Sequence, residues 1–387
     1  MTAHNQDLSR VMMTAGGTGG HIFPGVAVAR QLIAKGVAVR WVGTEYGLEK
    51  DIVPKEGIPI HYLSVKGLRG KGKLRLLTAP YMLIKSFYQA IRLIRQTQPQ
   101  VVLSLGGYAS GPVAIAAVCC RIPLVIHEQN AAPGLTNRLL APVSKLILSG
   151  FLNNLCRYEH FELVGNPVRD EFNQVESMRA NTPHHENTLN ILVVGGSQGA
   201  QVLNKHMPLA LEALADQINT LENESNLAQD FRVNIVHQTG VYQLADTKAS
   251  YVDAGIKAET VAFIDDMAGA YAWADIVVSR AGALTVSEVA AAGVAAIFIP
   301  LAAAVDDHQT KNAQTLVDQG AAVVIPESQI SAQKLADYLF DLCLDPQQCQ
   351  HMGAKALAAA RPAATTIICD RLAETYQQSL LPMIESS

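Results

Sequence analysis

At 387 residues the chain exceeds the size at which one core keeps growing, and 49% hydrophobic against 17% charged residues describes folded, well-buried domains rather than disorder. The six cysteines (Cys119, Cys120, Cys156, Cys343, Cys349, Cys369) show no metal-ligand spacing and no disulfide framework, and the polar opening MTAHNQDLSR lacks an export signal's apolar core. The net charge of −4 hides a separation: residues 1–165 carry 18 Lys+Arg against 8 Asp+Glu, and the remainder 12 against 26.

These features predict a protein of reducing surroundings whose N-terminal half meets an anionic partner. The apolar stretch 289–305 is broken by Gly293 and Pro300, so no membrane crossing is expected. Between Glu56 and Glu128 no acidic residue occurs, while Lys66, Arg69, Lys71, Lys73, Arg75, Lys85, Arg92 and Arg95 fall in that interval.

In chain order, a strand at 11–13 precedes a helix from about residue 24 to 34, then strands follow at 37–42, 101–105, 124–127 and 146–148. This alternation predicts βαβ units and a parallel sheet, continuing to about residue 163. The polar stretch 173–190 reads as a surface excursion near a domain junction. Strands then resume at 191–194, 233–237, 261–263, 276–279, 296–300 and 322–325, and a helical tail at 363–380 follows Pro362. The chain therefore reads as two doubly wound α/β domains in tandem. The first spans 1–165 and is joined by a C-terminal helix of about 363–387; the second spans 166–362.

Three apolar runs stop at glycine-rich turns: AGGTGGH at 15–21, LGGYASGP at 105–112 and VVGGSQGA at 193–200. The first and third lead into helical patterns, which places bare backbone N–H groups at helix starts suited to phosphate. GGTGGH is neither the dinucleotide fingerprint nor a Walker loop, which disfavours a nicotinamide cofactor and an NTPase. Thr18 brings a hydroxyl and His21 an imidazole to the first turn; a helix-packing turn with a capping histidine is the bland alternative.

SRAGALTVSE at 279–288 ends a strand and opens a helix, so its amides would hold a diphosphate without a metal. Glu288 there suits a ribose diol or, equally, simple helix-dipole compensation. In DDHQTKNA, Gln309 and Asn312 share one helical face, as they would in a plain solvated helix start. HEQN at 127–130 emerges at a strand's C-terminal end, where Glu128 serves either a site or a nearby cation. The basic segment 67–95 carries Leu76, Leu77, Tyr81, Ile84 and Phe87 edged by Lys71, Lys73 and Arg75. That strip suits an anionic bilayer interface better than a nucleic acid, with an amphipathic core helix as the alternative.

Taken together, AGGTGGHIFPG, GLRGKGK, GGYASGP, HEQNAAPGLTN, VGNPVR, VGGSQGA, FIDDMAGAYAWAD, SRAGALTVSE and DHQTKNA resemble, in order, the family of UDP-N-acetylglucosamine:N-acetylmuramyl-(pentapeptide) pyrophosphoryl-undecaprenol N-acetylglucosaminyltransferases. The resemblance implies a GT-B architecture, an α/β fold of two Rossmann-like doubly wound domains facing a cleft. It implies inverting transfer of GlcNAc from UDP-GlcNAc to the 4-hydroxyl of the muramyl sugar of lipid I, giving lipid II. Carried over by position, the donor site comprises Thr18, Gly19, Gly20, Asn130, Arg169, Ser197, Ile264, Ala283, Leu284, Thr285, Val286, Ser287, Glu288, Gln309 and Asn312, with Asn204 nearby.

The resemblance gives Ile264 to uracil, Glu288 to ribose, Ser197 and the start of the helix at Ala283 to the diphosphate, and Gln309 to the sugar. His21, Tyr108 and Glu128 fall on the acceptor side as candidates to deprotonate the attacking hydroxyl, and His21 is preferred because an imidazole ordinarily titrates near ~6.5. Arg169 and Arg280 would meet the departing diphosphate. No cofactor, no metal and no nucleic acid is expected, and the chain is placed peripherally on the cytoplasmic face of a bacterial inner membrane. Ala281 stands where some relatives carry serine. The rival readings are a UDP-GlcNAc 2-epimerase of the same fold and a non-catalytic sugar-nucleotide binder at a membrane surface.

Overall fold

A computed structural model describes residues 7–65, 73–181, 187–196, 199–224, 231–302 and 307–385. The chain divides into two compact units, Met1–Val168 with Arg361–Ser387, and Arg169–Ala360.

In the first unit the described strands are β1 (Arg10–Thr14), β2 (Ala38–Gly43), β3 (Ile60–Tyr62), β4 (Val101–Ser104), β5 (Leu124–Glu128), β6 (Leu146–Ser149) and β7 (Phe161–Leu163), in the order β3-β2-β1-β4-β5-β6-β7. All pairs are parallel. The central strands β4 and β5 are buried at every position, as a sheet covered on both faces requires. Helices α1 (Gly19–Ala34), α2 (Glu49–Lys55), α3 (Lys73–Thr97), α4 (Ser110–Cys119) and α5 (Leu135–Leu140) make crossovers. Helix α1 begins at Gly19, earlier than its sequence pattern indicates, because glycine's poor helix propensity hides the first turn.

The second unit opens with α6 (Val175–Asn181) where the sequence suggested a surface excursion. Phe172, just before it, is buried edge-on against Tyr271 at 5.2 Å, and Arg179 donates to the carbonyls of Tyr271 (3.1 Å) and Ala274. Val175 is the one fully buried residue of this short helix, too little to give a periodic signal. Strands β8 (Thr188–Val194), β9 (Arg232–Gln238), β10 (Glu259–Val261), β11 (Ile276–Ser279), β12 (Ala295–Phe298) and β13 (Ala322–Val324) form a second parallel sheet, ordered β10-β9-β8-β11-β12-β13. Helices α7 (Gln201–Glu224), α8 (Leu244–Asp253), α9 (Met267–Trp273), α10 (Ala283–Ala292), α11 (His308–Val317), α12 (Ala332–Leu344) and α13 (Pro346–Ala358) pack around it.

The last helix, α14 (Ala364–Glu385), belongs to the first unit. Ile368, Cys369, Leu372 and Tyr376 enter that unit's core with Val28, Ala29 and Leu32 of α1. Each buried aliphatic side chain there contributes roughly 1.5–3 kcal/mol, whereas the exposed Lys35–Asp370 ion pair (2.9 Å) is worth about 0–1 kcal/mol, so apolar burial docks the helix.

Both sheets reverse strand order at one place, between β1 and β4 and between β8 and β11. The turns that leave these neighbouring strands therefore lie side by side at the carboxyl edge, where ligands bind in open parallel sheets.

Candidate active site

In the second unit, the turn after β8 and the start of α10 line a cavity of about 750 Å³ with Gly195, Gly196, Lys205, Gly282, Thr285 and Gln309 among its walls. Gly282, the N-cap of α10, has extended backbone and no side-chain cap, and no acidic residue occupies the first turn. The first N–H groups of that helix thus lack a capping side chain and carry the positive end of its dipole. Gln309 accepts from the Leu301 N–H (2.9 Å), which fixes its amide at the cavity wall. Ser197 lies outside the described residues.

Other donor-site candidates have assigned places. Ala283 and Val286 are buried, so only their main chain is available, and the Ser287 hydroxyl bonds back to Ala283 O at 2.9 Å. Leu284 is half-buried on the same helix. Glu288 accepts from Arg169 (3.3 Å), which also pairs with Glu171 (3.0 Å) and stacks over Phe172 at 5.2 Å. Burial raises the Glu288 pKa, with Arg169 opposing it. Arg280 is tied to Glu327 (2.7 Å) and to the carbonyls of Ile299 and Pro300 (3.1 and 3.2 Å), so its charge is already matched.

Asn312 is completely buried and donates to Ala281 O (3.2 Å), holding the turn before α10 from beneath. Asn204 is likewise internal, bonded to His237 (3.0 Å) and Thr239 O (2.9 Å). Ile264 lines a separate cavity of about 660 Å³, and its N–H donates to Gln238 Oε1 (3.1 Å). Gln238 also donates to Gly196 O (3.0 Å), which couples the Ile264 loop to the glycine turn. Nothing in the spacing of the sequence announces Gln238.

In the first unit, the turns after β1 and β4 touch backbone to backbone. Gly107, at φ +86°, abuts the Gly16 peptide so closely that a Cβ would overlap Gly16 O. Glu49, fully buried, accepts from Gly17 N–H (3.1 Å), Thr44 N–H (2.9 Å) and the Thr44 hydroxyl (2.8 Å), tying the first turn to β2. A lone carboxylate 32 residues from its partner gave no sequence signal. Thr18 is the N-cap of α1 with no side-chain cap bond, and Gly19 and Gly20 are the helix's first residues. Tyr108 is half-buried and reaches the Gly17 position.

Half-buried His21 in the first turn of α1 lies, through Nδ1, 2.7 Å from Gln129 Oε1. Glu128 is 1% exposed and its carboxylate is occupied: Oε1 accepts from Asn130 N–H (2.9 Å) and Asn130 Nδ2 (3.3 Å), and Oε2 from Gly134 N–H (3.0 Å) and Asn137 Nδ2 (2.8 Å). Its task in the structure is to order the loop 129–134. Among the described residues no group of three or more His, Cys, Asp or Glu side chains is placed to hold a metal ion.

On α3, Tyr81, Ile84 and Tyr88 are exposed by 70%, 57% and 66%, and Lys85, Arg92 and Arg95 are exposed on the same helical face. Phe87 departs from the predicted strip, because it packs on the core formed with Ala90, Leu93 and Ile94. Lys71 and the side chains of Leu76, Leu77, Lys73 and Arg75 lie outside the described residues. No described helix is long and apolar enough to cross a membrane.

Two Rossmann-like units, each built on a parallel sheet with ligand-type turns at its switch point, define a GT-B glycosyltransferase fold. The N-terminal domain of glycosyltransferase family 28 matches residues 11–149 and the C-terminal domain of that family matches residues 190–367. A UDP-N-acetylglucosamine–N-acetylmuramyl-(pentapeptide) pyrophosphoryl-undecaprenol N-acetylglucosamine transferase of Pseudomonas putida (strain GB-1) is 45% identical over 364 residues, covering 94% of this chain and 97% of the relative. The crystal structure of Acinetobacter baumannii MurG superposes with a TM-score of 0.79 at 39% identity, covering 95% of this chain and 99% of that one. A UDP-GlcNAc 2-epimerase from Neisseria meningitidis shares the fold alone, at 14% identity and a TM-score of 0.61 over 94% of this chain and 100% of the other. The chain belongs to glycosyltransferase family 28, among the N-acetylglucosamine transferases of that pyrophosphoryl-undecaprenol type.

Proposed function

We propose that the chain transfers N-acetylglucosamine from UDP-N-acetylglucosamine to the 4-hydroxyl of the muramyl sugar of lipid I, forming lipid II with inversion at the anomeric carbon, in peptidoglycan synthesis. The geometric observation that carries this reading is the cavity lined by the turn after β8 and the uncapped start of α10, a setting whose chemistry suits a diphosphate. The named relatives supply the sugar and the acceptor.

Unit two holds the donor. The main-chain amides of 283–285 stabilise charge that grows on the departing UDP, and Glu288, held by Arg169, takes the ribose diol. Ser197, Gln309 and Ile264 complete the grip on diphosphate, sugar and base; the Ile264 carbonyl suits uracil, since its N–H is bonded to Gln238. Unit one supplies Thr18, Gly19, Gly20 and Asn130 and the general base. His21 suits that task better than Glu128, whose oxygens each accept internal hydrogen bonds, or Tyr108, a phenol that is a weak base near neutrality.

The exposed face of α3, with three apolar or aromatic side chains among three cations, supports docking on an anionic bilayer, hence a peripheral position on the cytoplasmic face of the inner membrane. Release of UDP that requires a lipid-linked muramyl acceptor is the expected result of a turnover assay. Formation of the 2-epimer without acceptor would overturn the assignment in favour of epimerisation.

A further inference from the structure

Behind His21 stands a run of buried polar side chains that the proposed reaction does not itself require. His127, on β5, and Gln129, just past it, are both fully buried. His127 Nε2 lies 3.0 Å from Gly165 O; Gln129 Nε2 lies 3.0 Å from His127 Nδ1; and Gln129 Oε1 lies 2.7 Å from His21 Nδ1. The Gln129 Nε2 group also donates to His127 O (3.1 Å), and its backbone carbonyl accepts from Asn166 Nδ2 (3.0 Å). All these groups belong to the first unit.

The direction of this run follows from its far end. A carbonyl oxygen can only accept, so the Gly165 end fixes the proton of His127 on Nε2. Burial depresses the His127 pKa to about 4, so the ring is neutral near pH 7 and carries that one proton alone. Its Nδ1 is then a lone pair and must accept from Gln129 Nε2. Both amide hydrogens of Gln129 are thereby spent on His127, and Oε1 faces His21, where it can only accept. The proton of a neutral His21 ring therefore sits on Nδ1, and its lone pair on Nε2.

We propose that Gln129 and His127 are positioning residues that lock His21 in the Nδ1–H tautomer, through the relay Gly165 O, His127, Gln129, His21, so that Nε2 is the proton acceptor in transfer. The inference deepens the reading of His21 as the base and rests on it. Among the described residues no group bonds His21 Nε2, so that nitrogen is left for the substrate hydroxyl. Gly165 aims the first acceptor: it has φ +93°, and a Cβ there would come within 2.5 Å of Arg361 Cβ, so the turn after β7 is reserved for glycine.

The test combines ring-nitrogen NMR of the full chain, selectively labelled at histidine, with steady-state kinetics on donor and lipid-linked acceptor. The wild-type His21 ring is expected to show a pyrrole-type Nδ1 and a pyridine-type Nε2 near neutral pH; the opposite pattern overturns the relay. Gln129→Met removes acceptor and donor at near-constant size, and kcat is expected to fall about 10- to 100-fold with the UDP-GlcNAc KM within about twofold. Gln129→Glu keeps an acceptor on His21 Nδ1 and is expected to recover a larger kcat than Gln129→Met. Equal kcat in Gln129→Met and wild type, with His21→Ala still inactive, sinks the relay and leaves His21 as the base. Undiminished turnover in His21→Ala instead sinks the base assignment, and the relay's catalytic meaning with it. Should the Gln129 variants fail to fold, the wild-type tautomer decides alone.

Discussion

Replacing Gly107 with alanine probes whether the two glycine turns of the first unit are held together by backbone contact. The residue sits at φ +86°, where an L side chain costs about 1–2 kcal/mol. The new Cβ would also overlap Gly16 O and lie 3.1 Å and 3.2 Å from Gly16 C and N, a contact with backbone that no rotamer change relieves. Overpacking of this kind adds about 1–3 kcal/mol, so Gly107→Ala should destabilise the first unit by about 2–5 kcal/mol. Gly111, in α4, meets nothing within 4 Å, and alanine there should stabilise by about 0.5–1 kcal/mol. The chain has two tryptophans, one in each unit. In a Trp273→Phe background, Trp41 is the remaining indole; it is fully buried and donates to Ala15 O (3.2 Å) in the turn concerned. Urea unfolding followed by Trp41 fluorescence therefore reads the first unit alone. Movement of Gly16 also moves His21, so kcat should fall with stability in Gly107→Ala and stay normal in Gly111→Ala. An unchanged unfolding midpoint in Gly107→Ala would refute the close contact.

Three further outcomes follow from the same physics. His127 titrates at about 4 in the fold and about 6.5 in an unfolded chain, so between those values the unfolded state binds the extra proton. The His127 contribution to first-unit stability should be level above pH 6.5 and fall by about 3 kcal/mol on the way down to pH 4, and a midpoint that does not fall between pH 6.5 and 4.5 would show that the ring is not buried neutral. Tyr81→Ser with Ile84→Ser and Tyr88→Ser should weaken binding to anionic vesicles in a sedimentation assay while leaving the unfolding midpoint within about 0.5 kcal/mol for each exposed site; undiminished binding removes α3 as the docking face. Leu372→Ala should cost the first unit about 2–5 kcal/mol and Lys35→Ala less than 1, measured by urea titration; equal losses would mean that ion pairing rather than apolar burial docks α14.

What the sequence made legible is what local chain chemistry dictates. Apolar runs such as 101–104 and 276–279 declare buried parallel strands because every position is covered, and the glycine turns declare themselves because only glycine accepts such backbone and such proximity. The same logic hid β3, whose three residues Ile60–Tyr62 lie at a sheet edge and are only partly covered. It also left Asn312 open and misplaced Phe87: a polar residue on a helical face suits a ligand or solvent alike until the Ala281 carbonyl is found opposite it, and an aromatic residue beside lysines looks peripheral until the core is found beneath.

The chemistry around His21 was half legible for a related reason. A motif fixes which residues are neighbours in sequence, and HEQN put His127, Glu128, Gln129 and Asn130 together without saying which way each side chain turns. In the strand, period-two alternation sends His127 and Glu128 to opposite faces. The β5 edge then meets partners far away in sequence: His21, 108 residues from Gln129, and Gly165, 38 residues from His127. Glu128, the conspicuous acid in a basic interval, closes its own loop, while the inconspicuous amide beside it reaches the imidazole. A titratable side chain draws the eye in a sequence, but a carbonyl that can only accept gives a hydrogen-bonded run its direction. On the proposed relay, the proton position at His21 is set by a main-chain atom two residues past β7, which side-chain types alone do not place.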